Sequence, residues 1–75
     1  AIAFYLSEPA IIDLSIIDLL GNTVKKLIHE KRPAGNSSIY WDGKNMIGEN
    51  VTSGIYFFLL KINGMSLKRK MVLIK

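Results

Sequence analysis

The chain contains no cysteine, so neither a disulfide nor a thiolate metal site reinforces it. It has one histidine, His29, and two prolines, which leaves too few nitrogen donors for a transition-metal centre. No apolar run reaches the roughly 20 residues that a helical membrane span needs. The start, Ala1-Ile2-Ala3-Phe4, lacks the basic leader of a secretory signal. Acidic residues are also few, six against ten Lys and Arg, for a formal net charge of +4. The basic residues are scattered from Lys25 to Lys75, so they read as a solvated surface and not as a nucleic-acid stripe. Neither nucleic-acid binding nor stable membrane insertion is expected.

What the chain does have is hydrophobic side chains, 49% of 75 residues, enough for one core. A domain this short buries only roughly 60% of its unfolded surface and sits near the lower limit for independent folding. A strand pattern begins almost at once and without an initiator methionine. The expectation is a single domain over residues 1–75, cut from a larger secreted protein whose export leader lies upstream. The preceding domain of that protein is then an expected partner.

Alternation organises the rest. Ile2, Phe4 and Leu6 form a first strand ended by Ser7-Glu8-Pro9, and Ile12, Leu14 and Ile16 mark a second from Ala10 to Asp18. Leu20-Gly21-Asn22 turns the chain. Thr23 to Arg32 reads as a strand, although Val24, Leu27 and Ile28 also have the spacing of a short helix. After the turn at residues 33–36, Ser37, Ile39 and Trp41 alternate as a fourth strand, with Trp41 expected in the core. A loop rich in Asp, Asn and Gly leads to a long apolar strand from Gly54 to Ile62. Asn63-Gly64 is a hairpin signal, and residues 65–74 return antiparallel. Six or seven short strands without a helix predict an all-β, immunoglobulin-like antiparallel β-sandwich, with a small barrel as the alternative.

The strand after the loop departs from simple alternation. Tyr56, Phe58 and Leu60 fill one face, yet Ile55, Phe57 and Leu59 make the other apolar too. Either the strand is central and a loop covers its outer face, or the patch docks against a partner or the preceding domain.

Candidate chemistry is sparse. His29 lies among Ile28, Glu30 and Lys31 as a surface residue would, Ser53-Gly54 lacks the Gly-x-Ser-x-Gly context, and Asp13, Asp18 and Asp42 fall in different segments. No catalytic residue and no cofactor are expected. Asp42, Asn45, Glu49 and Asn50 gather oxygen donors in one loop, but their spacing departs from that of a calcium loop, and such residues serve turns for backbone reasons. In Lys68-Arg69-Lys70 the middle residue of a strand projects opposite to its neighbours, which divides the charge. Tyr5, Tyr40 and Phe57 are candidates for a glycan-binding face, against the commoner reading of aromatics as packing residues.

Three blocks carry a family resemblance. Residues 12–27, with a turn at Asp18-x-x-Gly21, are one. Pro33-Ala34-Gly35 with Trp41-Asp42-Gly43-Lys44-Asn45, Gly48, Val51 and Ser53-Gly54-Ile55-Tyr56 is the second, and residues 70–75 are the third. Together they resemble the C-terminal sorting domain of the type IX (Por) secretion system and the similar Ig-like domain of the flagellar hook-capping protein. Thr52 stands where such sequences often have Pro or Ala, and Leu59 where a polar residue is common. The Asn-Pro-Phe-type stretch that usually precedes the first strand is absent.

The resemblance implies a noncatalytic sorting and anchoring module. It would bring a secreted bacterial protein, via the periplasm, to the outer-membrane secretion machinery and then to the cell surface or exterior. Lys70, Met71, Val72, Leu73, Ile74 and Lys75 would be the handle that the translocon recognises, through strand addition or docking. The alternatives are an accessory spacer or glycan-binding and adhesion domain of an extracellular enzyme, and a hook-capping Ig-like domain.

Overall fold

The computed structural model describes residues 2–74 as six strands: β1 (Ile2–Leu6), β2 (Ala10–Ile17), β3 (Thr23–Arg32), β4 (Gly35–Ile39), β5 (Gly54–Ile62) and β6 (Met65–Leu73). No helix forms among the described residues. Pairing is antiparallel throughout, in a two-stranded sheet β1-β4 and a four-stranded sheet β3-β2-β5-β6. The result is a small Ig-like β-sandwich.

The core lies between the two sheets. Ile2 and Leu6 of β1 meet Ile12, Leu14 and Ile16 of β2 and Tyr56 and Leu60 of β5. The period-two pattern of β2 sends its three large aliphatic side chains inward, where each is 0% exposed. Burial of such a side chain contributes about 1.5–3 kcal/mol.

The helix-like spacing in β3 has a structural cause. The register against β2 steps from Leu14 opposite Ile28 to Ser15 opposite Lys26, and from Ile16 opposite Lys25 to Ile17 opposite Thr23. The two residues skipped are Leu27 and Val24, and both pack against the core. Each β-bulge adds a residue and switches which side chains face inward, so a strand with two bulges shows apolar residues three and four apart.

The fourth strand differs from the sequence expectation. It covers Gly35–Ile39 and stops before Trp41, and its last paired residue is Ile39, opposite Ile2. Trp41 is accordingly not a fully enclosed core residue. It packs against the core while partly exposed, and its indole Nε1 donates to the carbonyl of Lys44 at 3.0 Å. The hairpin forms at Asn63-Gly64, where the sequence places it. Asn63 and Gly64 both adopt positive φ (47° and 81°) between Ile62 and Met65, as a two-residue turn matched to strand twist requires.

Candidate functional site

β5 is flanked by β2 and β6, so it is a central strand and needs apolar residues on both faces. Its outer side chains align with those of its neighbours: Ile55 with Val72, Phe57 with Ile17 and Lys70, Leu59 with Ser15 and Lys68. A covering loop was one expectation. What lies over Phe57 is instead the Lys68 ammonium, 4.5 Å from the ring centroid, a cation–π contact worth about 0.5–1 kcal/mol at an exposed site. Ile55 remains 40% exposed and Val72 61%. By register, Lys26, Lys31, Lys61 and Lys70 share this face with a single carboxylate, Asp13. It is an apolar strip fringed by lysines.

The residues expected to form a terminal handle do not share one surface. Lys70 and Val72 project to the outer face with Phe57 and Ile55, whereas Met71 and Leu73 pack against the core between the sheets. Ile74 follows the strand and is highly exposed, and Lys75 lies outside the described residues. Among the described residues their strand, β6, pairs with β5 alone and forms one margin of its sheet.

The loop donors that suggested calcium serve the backbone. Asp42 Oδ1 accepts from the Lys44 amide and lies 3.7 Å from Lys25 Nζ. Asn45 Oδ1 accepts from the amides of Ile47 and Glu49, and Asn45 Nδ2 donates to Glu49 Oε1. His29 Nδ1 stands 3.6 Å from Asp13 Oδ2 across the β2–β3 ladder, in a solvent-exposed pair that is ionic only when the imidazole is protonated. Among the described residues, no three His, Cys, Asp or Glu side chains gather where they could hold a metal ion.

Two features escaped the sequence reading. Tyr56, near the start of β5, donates its hydroxyl to the carbonyl of Thr52 four residues upstream at 2.7 Å and meets Trp41 edge to face with centroids 5.4 Å apart. This is the geometry of the tyrosine corner of Ig-like sandwiches. The signal for it was the Tyr that follows Ser53-Gly54-Ile55.

The second feature is a repeated turn. Asp18 Oδ1 accepts from the amides of Leu20 and Asn22, the Gly21 amide donates to the Asp18 carbonyl, and the Asp18 amide donates to the Asn22 carbonyl. Asn45, Ile47, Gly48 and Glu49 repeat every one of these bonds, with Gly21 and Gly48 at φ 87° and 81°. The shared spacing Asx-x-x-Gly was the available clue. The tips hold Leu19, Leu20, Met46 and Ile47 out in solvent. A cleft of about 570 Å³ near them is lined by Leu19, Val24, Val51, Thr52, Ile55 and Tyr56 among others.

Comparison with known families adds the deciding observation: residues 1–64 match the family described as the FlgD Ig-like domain. The chain belongs to the FlgD Ig-like domain family. The match takes in β1 through β5 and the following hairpin turn, and leaves β6 outside. No curated protein and no solved structure matches the chain.

Proposed function

We propose that this FlgD-type Ig-like domain is a noncatalytic docking module within a larger bacterial assembly, in the manner of a hook-capping Ig-like domain. The observation that carries the reading is family membership over residues 1–64. The strip of Ile55, Phe57, Leu59 and Val72 supports it, because an apolar sheet face fringed by lysines, with Lys68 over Phe57, gains by burial against another protein surface. In this reading the fold presents faces and turns, and any chemistry lies elsewhere in the polypeptide that carries it.

Photocrosslinking in the native cell tests this. A photoreactive residue at Leu59, in the whole polypeptide that carries the domain, is expected to link to a second protein. Labelling of the same chain alone would contradict docking.

The sorting role is the second reading, favoured by one observation: β6 forms an open sheet margin and is followed by the exposed Ile74. It places the protein outside the cell or on its surface, with the secretion machinery as partner. A periplasmic reporter fused to residues 1–75 is exported in a type IX-competent bacterium if this reading holds, and export is lost without Lys70 to Lys75. Retention of both versions, with folding verified, leaves the docking reading alone.

A further inference from the structure

The four-stranded sheet is covered by only two strands, and the shortfall is local. A cleft of about 390 Å³ separates β1 from the β5–β6 hairpin, walled by Phe4, Phe58, Leu60, Ile62, Leu67 and Arg69. Ala3, Phe4 and Tyr5 line it in succession and no β4 residue does, so it opens along the edge of β1 that faces away from β4.

The sheet margins are not equally protected. β3 is tied to the loop after β4, since its Lys26 amide donates to Met46 Sδ at 3.3 Å and Lys25 pairs with Asp42. β6 carries Lys68, Arg69 and Lys70 in succession, and charge discourages edge pairing. β1 has neither defence. Its sequence, Ile-Ala-Phe-Tyr-Leu, contains no charge, proline or glycine, and its register with β4 runs unbroken over five residues.

The cleft also carries a charge. Arg69 is opposite Phe58 in register, so it belongs to the inner face, and it forms no ion pair among the described residues. An apolar cleft with an unneutralised guanidinium fits a ligand that brings both aliphatic side chains and a carboxylate.

We propose that the free edge of β1 accepts an extended strand from another polypeptide. That strand becomes the third member of the small sheet, lays alternate apolar side chains over Phe58 and Leu67, and sets a carboxylate against Arg69. Main-chain hydrogen bonds supply affinity in such strand addition, and the alternate side chains supply specificity. A second copy of this chain pairing β1 to β1 fits less well, because Ile2–Leu6 contains no acidic residue for either arginine. The outer-face docking surface is separate, so failure of this inference leaves that reading standing.

The test selects short random peptides from a display library against the folded 75-residue chain, with folding checked by amide chemical-shift dispersion. Selected peptides are expected to alternate apolar residues around an Asp or Glu and to slow amide exchange in β1. Arg69 is exposed, so Arg69→Glu is expected to keep the fold, to weaken those peptides about tenfold or more and to select Lys- or Arg-bearing ones instead. Four results would overturn the proposal: no selected peptides, indifference to Arg69→Glu, protection of β6 in place of β1, or self-association that protects β1 without peptide.

Discussion

β2 and β6 flank the same strand in the same sheet, and they differ in almost every other respect. β2 sends Ile12, Leu14 and Ile16 into a sealed interior, and Ser15 and Ile17 on its opposite face are buried as well. The first six residues of β6 are all exposed. The small β1-β4 sheet packs on the β2 and β5 side of the core and leaves a cleft towards β6. A chain this short concentrates its stability in one half of the sandwich. β6 is then left as an open margin of the sheet.

The contrast can be broken most severely at Leu14. Leu14→Ala is expected to cost about 3–5 kcal/mol, a large share of the stability of a domain this size, read as loss of the cooperative urea transition. Trp41→Ala comes next at about 2–4 kcal/mol, below the value for a sealed tryptophan because the ring is partly exposed. An unchanged midpoint would show that Trp41 does not secure the loop to Tyr56. Tyr56→Phe isolates the hydroxyl bond to Thr52 and is expected to lower stability by about 1 kcal/mol in the same denaturation measurement.

The twin turns sharpen the comparison further. Asp18→Ala and Asn45→Ala each remove a side-chain acceptor for two amides and are expected to cost about 1 kcal/mol apiece. Asp18→Asn is expected to cost much less, because Asn45 performs the same bonding with an amide oxygen. Equal losses for Asp18→Ala and Asp18→Asn would show that charge, and not geometry, holds the turn. Lys68→Ala on β6 is expected to cost about 0.5–1 kcal/mol or less, since it deletes one exposed cation–π contact.

Much of the fold was legible because local pattern and local turn chemistry agree. β1, β3 and β5 have the expected bounds, and Asn63-Gly64 makes the expected hairpin. The bulges were not legible, because Val24 and Leu27 have meaning only against the register of β2. The position of Trp41 depends on contacts between distant segments, its packing against the core and against Tyr56. The division of six strands into two and four is likewise non-local. For the site, the apolar outer face of β5 was readable from Ile55, Phe57 and Leu59, whereas its lysine fringe required knowledge of which strands lie beside it. Residues 70–75 looked like one handle in sequence, and strand alternation divides residues 70–73 between two faces.

Native-state amide hydrogen exchange on the isolated chain offers the sharpest test of whether stability is concentrated in β2 and β5 and not shared by the β6 margin. β2 and β5 amides are expected to exchange only through global unfolding, while β6 amides that bond to β5 exchange far faster through local opening. Uniform protection, with β6 as slow as β2, would contradict that expectation and show that the β6 margin is an integral part of the stable core.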